Sequence, residues 1–492
     1  MIDIFAQAER PATPSKATSE PQLRPVSINQ LSGADWKPEL PKHSAGASQI
    51  LLPVANAPQL SAYMGQQLAP IATPVVFGGI TSEALSMFAS DLQANGLIPV
   101  SGAGGAAAIT SLAEANEKTL LPGTSVSVQL IRGDYSVAAS GTVTFRDGNR
   151  IYAFGHPFLS LGASDMPMTE ASVVSVIPNT ANSFKLSVPG RLVGAISQDR
   201  STGIFGHLGQ TPTMIPVRVN LRTSRDQSET YNYEIANDRF LTPLLLNMTL
   251  FSTITSTERG LGEATVTIDG KISLDGQADI LLDRRFSTNN AAAMASMSVA
   301  APVSALLTSG FENVKLKGIT LNVTATDVKS EATLERIALD KTEIKRGETV
   351  EVQAFIRTES GKQFVQRIPV TVPSDVPPGQ LLLFIGDGNA LQQGMSPSQA
   401  IVPKSLDQLV ETINKIKKTD RLYIKLFQIT PGAVIGNNEM PNLPPSMVAT
   451  LGSDRSSGGY TPTPVSPVYE KELAPAEFVI QGQQLIGITV IQ

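Results

Sequence analysis

Residues 126–154 read Val-Ser-Val-Gln-Leu-Ile-Arg-Gly-Asp-Tyr-Ser-Val-Ala-Ala-Ser-Gly-Thr-Val-Thr-Phe-Arg-Asp-Gly-Asn-Arg-Ile-Tyr-Ala-Phe, and this stretch decides the fold class. Apolar side chains such as Val126, Val128 and Leu130 recur at every second position. A period of two places alternate side chains on one face of a strand. The run Arg146-Asp-Gly-Asn149 is a turn signal between two such strands, so the stretch predicts antiparallel β-hairpins.

Similar patterns continue downstream to about residue 325. Strands are predicted at Ser172–Ile177, Ser183–Val188, Leu192–Ile196, Met214–Leu221 and Ala264–Ile272. Two apolar stretches, Leu241–Ile254 and Ala291–Leu307, are predicted to be helices. Residues 119–325 therefore form a predicted β-rich domain.

Upstream of this domain, residues 61–118 are predicted to form a small α/β segment. Pro74–Phe77 resembles a strand, and Leu85, Phe88 and Leu92 then recur at helical spacing. Residues 1–60 are rich in Pro, Ala, Ser, Gln and Thr without steady periodicity, which predicts a flexible N-terminal arm.

A second strand-rich region begins near residue 326. Alternating side chains in Thr349–Arg357, together with strands spaced by about 12 residues, predict an immunoglobulin-like β-sandwich. A helix over Ser405–Lys418 follows, opened by a capping box. We assign residues 326–430 to this sandwich plus helix, and 431–492 to a C-terminal loop and strand pair. The expected fold class is mainly β with some α.

The composition excludes several functional classes. The chain of 492 residues carries 38 basic and 43 acidic side chains, a net charge of -5, and no basic run that could follow a phosphate backbone. Nucleic acid is therefore not an expected partner. The absence of cysteine removes disulfides, thiol catalysis and thiolate metal sites. No signal peptide is visible, and no window approaches the ~18 consecutive apolar residues of a membrane span.

Four other features of the sequence give little indication of function. Ser101-Gly-Ala-Gly-Gly-Ala106 lacks the Lys-Ser/Thr pair of a phosphate-binding loop, and a flexible connection explains it better. Gly394-Met-Ser-Pro-Ser398 lacks the second glycine of a nucleophile elbow. His43 lies in the predicted arm, and His207 is predicted to lie in a glycine-rich turn, Gly203–Gly209. We assign no cofactor and no metal, because the three histidines are far apart and no H-E-x-x-H string occurs.

His156 is the one histidine in a position typical of catalysis. It follows the predicted strand Ile151–Phe154, and Pro157 disfavours helical geometry at this residue. A histidine displayed at the end of a strand is suited to general-base chemistry, although a packed structural histidine fits the same spacing.

Potential partners of this imidazole follow it in the chain. The carboxylates that could orient it are Asp165, Glu170 and Asp199, and the hydroxyls that it could activate are Ser160, Ser164 and Ser201. Ser160, Ser201, Asp165 and Asp199 are therefore weak catalytic candidates beside His156. None of the serines lies in a G-x-S-x-G elbow or a G-x-S-G-x-P loop.

Four strings carry a family resemblance. They are Leu-Pro-Gly-Thr-Ser-Val (121–126), Gly-Thr-Val-Thr-Phe-Arg-Asp-Gly (141–148), Ala-Phe-Gly-His-Pro-Phe (153–158) and Gly-Ala-Ile-Ser-Gln-Asp-Arg-Ser-Thr-Gly-Ile-Phe-Gly (194–206). The block from Leu121 to about Arg285 resembles the SpoIVB-type serine peptidase domain, a family named for a secreted sporulation peptidase. The resemblance implies a trypsin-like β-barrel for residues 119–325 and places His156, after Gly155, as the catalytic histidine.

The chain also departs from that family. The Gly-x-Ser-Gly-x-Pro loop that supplies the nucleophilic serine is absent. Longer envelope proteins that resemble this chain carry the loop upstream, just before a segment similar to Met1–Phe5, so the chain is expected to begin inside a larger reading frame. We therefore expect a SpoIVB-type peptidase domain protein of the bacterial envelope that is inactive as this chain.

Whether the protein is an enzyme is left open by the sequence. The alternative is a non-catalytic binding or scaffold protein of the cell envelope. The implied partners are a protein or peptide substrate or an envelope protein. The implied location is periplasmic or secreted if a leader exists upstream.

Overall fold

The computed structural model describes most of the chain. The described residues are 23–39, 72–102, 106–178, 183–224, 227–257, 263–312, 314–395, 401–430, 432–435, 438–440, 442–451, 460–463 and 465–492. His43, residues 103–105 of the glycine-rich run and residues 396–398 of the Gly394 string lie outside them. The protein is mainly β, as predicted.

The elements up to residue 326 build a first unit. In chain order they are α1 (Ile28–Ser32), β1 (Thr73–Gly78), α2 (Ser82–Ala94), β2 (Leu97–Ser101), β3 (Ser125–Gly133), β4 (Ser136–Asp147), β5 (Arg150–Ala153), β6 (Gly162–Ile177), β7 (Phe184–Arg200), β8 (Gly203–Leu208), β9 (Met214–Thr223), β10 (Ser228–Ala236), α3 (Leu241–Thr257), β11 (Ala264–Leu274), β12 (Ile280–Thr288), α4 (Ala291–Thr308) and β13 (Leu316–Thr326). Thirteen strands pair in the order β12-β11-β13-β9-β10-β3-β6-β7-β8-β5-β4-β1-β2. β1 and β2, from the predicted α/β segment, thus share a sheet with the predicted β-rich domain.

Part of this sheet closes on itself. β3 pairs with β4 as well as with β6, so β3, β6, β7, β8, β5 and β4 form a barrel-like ring. The predicted turn between β4 and β5 contains Gly148 at a φ of 56°, the left-handed geometry that a tight hairpin needs. The ring agrees with the coarse β-barrel expectation, while a trypsin-like arrangement stays a prediction.

Helices α3 and α4 contribute to the core of the first unit, and α4 has no charged residue. By length and composition, α4 is the one helix among the described residues that could cross a membrane, but most of it is buried inside the fold. Such burial is typical of a core helix. Threonine side chains of α3 form hydrogen bonds with buried tyrosines. The Thr253 hydroxyl lies 2.8 Å from that of Tyr135, and the Thr249 hydroxyl lies 2.9 Å from that of Tyr233. Burial raises the pKa of both phenols well above the usual value.

The remaining elements follow residue 326, and most of them build a second unit with its own apolar core. They are β14 (Glu331–Leu339), β15 (Glu343–Lys345), β16 (Thr349–Thr358), β17 (Gln363–Thr371), β18 (Gly379–Asp387), α5 (Gly388–Met395), α6 (Leu406–Asn414), β19 (Leu422–Gln428), β20 (Gly432–Ile435), β21 (Asn438–Met440), α7 (Pro445–Leu451), β22 (Tyr460–Thr463), β23 (Ser466–Glu472), β24 (Val479–Gln481) and β25 (Gln483–Ile491). The sheets β17-β16-β14-β24 and β15-β25-β18-β19-β23 share the core, while β20, β21 and β22 form a small third sheet. The C-terminal strand pair therefore belongs to this unit, and an immunoglobulin-like topology stays a prediction.

Two segments pack differently from the sequence expectation. Helix α6 begins at the predicted cap, where Ser405 accepts a hydrogen bond from the Gln408 amide, but its apolar face joins the core of the first unit. Within the predicted N-terminal arm, α1 carries a capping box, and Leu31 and Trp36 are buried, Trp36 against α4. The rest of that arm, 1–22 and 40–60, lies outside the described residues.

Candidate functional site

His156 lies in the segment 154–161, which joins β5 to β6 across the rim of the ring. Phe154 and Gly155 both have left-handed backbones, with φ of 73° and 75°. Two successive residues of this kind turn the chain sharply, and for phenylalanine the conformation is strained. The Phe154 ring packs over Gly141, and a Cβ at position 141 would overlap the ring. Glycine at 141 therefore leaves room for the Phe154 side chain. The local fold therefore sets the position of His156.

Asp199, near the end of β7, holds this segment in place. Its carboxylate accepts hydrogen bonds from the backbone amides of Phe158 at 2.8 Å, Leu159 at 2.7 Å and Leu161 at 3.1 Å. The Asp199 side chain is fully buried. Hydrogen bonds to an ionised acceptor are stronger than those between neutral groups. The Asp199 carboxylate therefore anchors the His156 loop to the hairpin of β7 and β8.

The His156 imidazole is half-buried and forms one hydrogen bond with the described parts of the chain. Its Nδ1 lies 2.8 Å from the carbonyl oxygen of Pro157, and a carbonyl can only accept. The neutral ring therefore carries its proton on Nδ1, which leaves the Nε2 lone pair available as a base. The ring also lies 5.6 Å from the Phe154 ring, centroid to centroid.

The predicted acids do not orient this imidazole. Asp199 is bonded to loop amides, and Asp165 accepts a hydrogen bond from the Thr213 amide at 2.9 Å. Glu170 forms an ion pair with Arg191 at 2.9 Å. The structure therefore places Asp199 beside the His156 loop, where its carboxylate binds the backbone amides of the loop rather than the imidazole.

The predicted hydroxyls are likewise not bonded to His156. Ser160 is exposed and has a left-handed φ of 53°, and Ser201 is exposed in the turn between β7 and β8. The hydroxyl of Ser164 is buried and has no hydrogen-bond partner within the described residues. None of these serines therefore has the hydrogen bond to an imidazole by which a base activates a nucleophile.

The turn between β7 and β8 lies directly beside the His156 loop. Gly203 follows this turn, and a Cβ there would lie 2.8 Å from the Ala153 carbonyl oxygen and 3.5 Å from the Gly155 amide. Glycine at 203, with a φ of 147°, permits this close approach. His207 lies farther along β8, a regular strand rather than the predicted turn, with its ring 4.8 Å from that of Phe205.

The loop presents an imidazole whose Nε2 lone pair is available, while the loop amides near it already have an acceptor. The amides of Phe158, Leu159 and Leu161, which could otherwise stabilise a developing oxyanion, already donate to Asp199. Across the described ranges, no three His, Asp or Glu side chains group in a way that could hold a metal ion.

A second buried charge, Arg284, was not identified from the sequence. Arg284 lies on β12 in phase with the buried residues Ile280 and Leu282. A charged residue at an apolar position of an alternating strand is the signal that could have identified it.

Comparison with protein-family models, with curated proteins and with solved structures finds no match for this chain. The resemblance to SpoIVB-type peptidases therefore stays a prediction from the four strings of sequence.

Proposed function

We infer that the protein is a SpoIVB-type peptidase-like protein of the bacterial envelope whose chain does not cleave peptides by itself. The observation that carries this proposal is the hydrogen bonding of His156: Nδ1 is bonded to the Pro157 carbonyl, and within the described residues Nε2 has neither a serine nor a carboxylate partner. A serine peptidase needs a nucleophile, a base and an oxyanion hole, and loss of the nucleophile leaves only a small residual rate.

The placement of the four strings supports the family assignment. Residues 121–126 lead into β3, 141–148 lie on β4 and its turn, 153–158 contain His156, and 194–206 cover the hairpin of β7 and β8. These strands are all members of the barrel-like ring. Residues of the second and fourth strings contact the segment that contains His156: the Phe154 amide donates to the Thr142 carbonyl, and Asp199 accepts the loop amides.

A fluorophosphonate probe, which reacts with activated serines, tests the proposal. We expect intact-mass spectrometry to show no stoichiometric adduct on the wild-type chain, because neither Ser160 nor Ser201 is bonded to a base. His156→Ala and the control His207→Ala should give the same result. Stoichiometric labelling at Ser160 or Ser201 that His156→Ala abolishes and His207→Ala preserves would show an active enzyme and contradict the proposal.

A binding or scaffold role is the second candidate, and the hairpin of β6 and β7 favours it. Beyond the ring, residues 171–177 pair with 184–189 and with no other described strand. Val173, Val174 and Val176 are 45 %, 66 % and 58 % exposed. Clustered exposed apolar side chains are typical of interaction surfaces. The coding DNA in frame upstream of Met1 separates the two candidates: a Gly-x-Ser-Gly-x-Pro loop there favours the peptidase, and a nearby stop codon favours the scaffold.

A further inference from the structure

A cavity of about 920 Å³ lies where the two units meet. The first unit contributes β12, the segment after α1 and the start of α4 to its walls. The second contributes the start of α5 and residues 479–483, and residues 416–419 complete the lining. None of the lining residues belongs to the four strings that resemble a peptidase, so the cavity is separate from the His156 site.

Arg284 lines this cavity and is the least satisfied charge on its walls. Only 7 % of the residue is exposed. Its Nη1 donates to the backbone carbonyl of Asp283 at 3.3 Å, and its Nε is buried with no partner within the described residues. Burial lowers the pKa of this guanidinium. A buried charge is costly unless it is paired and hydrogen-bonded, so a negative group beside the guanidinium would be stabilising.

Asp283 attracts the Arg284 charge, but among the described residues no carboxylate forms an ion pair with it. Asp387, on the cavity wall, accepts hydrogen bonds from the amides of Ala390 at 2.9 Å and Gly482 at 2.8 Å. Asp283 forms ion pairs with Lys418 at 2.5 Å and Arg421 at 3.4 Å. Asp35 lies exposed at the rim. Each acid near Arg284 is therefore bonded elsewhere or directed towards solvent.

Two further cations raise the positive potential of the cavity. The Nη1 of Arg285 donates to the Ala476 carbonyl at 2.5 Å, and Lys417 forms an ion pair with Glu470 at 2.5 Å. Both residues line the cavity, and both already have partners. Within the described residues, the guanidinium of Arg284 is thus incompletely hydrogen-bonded, and it lies beside a cavity where the nearby cations favour an anion.

We propose that this cavity binds a small molecule bearing an oxyanion, a carboxylate or a phosphate, through the guanidinium of Arg284. The planar fork of arginine matches both kinds of oxyanion. The cavity volume lies within the range of small-molecule sites, about 300–1,000 Å³. Because both units line the cavity, the bound molecule contacts both of them.

Isothermal titration calorimetry on the full chain tests this site with two probes, inorganic phosphate and succinate, at constant ionic strength. We expect at least one probe to bind the wild type, and Arg284→Met to weaken that binding at least about tenfold, because a charged hydrogen-bond donor is lost. Binding of phosphate alone assigns a phosphate ligand, binding of succinate alone assigns a carboxylate, and binding of both assigns a general oxyanion site.

Two variants make the test specific. Arg218→Gln, on β9 and away from the cavity lining, should bind as the wild type does. Arg284→Lys keeps the charge but loses the planar fork of the guanidinium, so this variant should fold and should bind the probe more weakly than the wild type. It provides the test if Arg284→Met does not fold. The proposal is overturned if neither probe binds at up to about 10 mM, the weak end of the affinity scale. It is also overturned if every folded Arg284 variant binds as tightly as the wild type.

Discussion

Asp199 and Arg284 are both buried charges of the first unit, but their surroundings differ. Three backbone amides surround the Asp199 carboxylate, whereas the Nε of Arg284 faces no partner in the described parts of the chain. Asp199 ties a loop to a neighbouring hairpin, while Arg284 lines a cavity of about 920 Å³. The comparison teaches that a buried charge saturated by the chain stabilises the fold, whereas one left unsaturated beside a cavity indicates a ligand.

The largest expected effect is at Asp199. Asp199→Ala should lower the free energy of unfolding by about 4 kcal/mol, because it leaves three amides of the loop without an acceptor. Urea denaturation followed by circular dichroism measures the loss. Asp165→Ala is the matched control: its carboxylate accepts one backbone amide, from Thr213, and should cost about 1 kcal/mol. Equal losses in the two variants would show that Asp199 is not the anchor of the loop.

Arg284 should respond with the opposite sign. In a buffer without phosphate or carboxylates, Arg284→Met should raise the free energy of unfolding by about 1–3 kcal/mol, because an apolar side chain of similar length replaces an unpaired buried charge. Thermal and urea unfolding measure the gain.

Arg421 provides the matched control for that change. It is 8 % exposed, close to the 7 % of Arg284, but it forms ion pairs with Asp420, Glu472 and Asp283. Arg421→Met should therefore lower stability by about 3 kcal/mol, since it leaves the buried carboxylate of Asp420 without its ion-pair partner. A loss of similar size in Arg284→Met would mean that Arg284 is already satisfied by the chain.

Elements with strong local patterns could be predicted from the sequence. Alternation located β3 and β16, and Ser405 marked the start of α6. Strand β8 was missed, because Gly203 and Gly206 are typical of a turn and it is long-range pairing with β5 and β7 that makes the segment a strand. The packing of α6 on the first unit was not predictable, since an amphipathic stripe does not identify the surface that it contacts.

The site was less predictable than the fold. The position of His156 after a strand was visible in the sequence, and Asp199 was named as a possible orienting acid. Its actual partners are amides 38 to 41 residues away, which carry no sequence signal of their own. Arg284 could have been identified from the sequence, because it occupies a position of β12 that alternation assigns to an apolar residue. The cavity beside it could not, because it depends on how the two units meet.

The smallest expected effect is at His156, and it tests which residue holds the loop. His156→Ala should change the free energy of unfolding by less than about 0.5 kcal/mol, because its one hydrogen bond is to the adjacent residue Pro157 and its ring is half-buried. His207→Ala, measured in the same urea titrations, should cost about 1 kcal/mol, since the ring packs against Phe205 within the sheet. A loss above about 2 kcal/mol for His156→Ala would place the imidazole among the anchors of the loop and give it a structural role. A negligible loss beside a large one for Asp199→Ala would separate the two roles: the carboxylate stabilises the loop, and the Nε2 of the imidazole is left available for chemistry or binding.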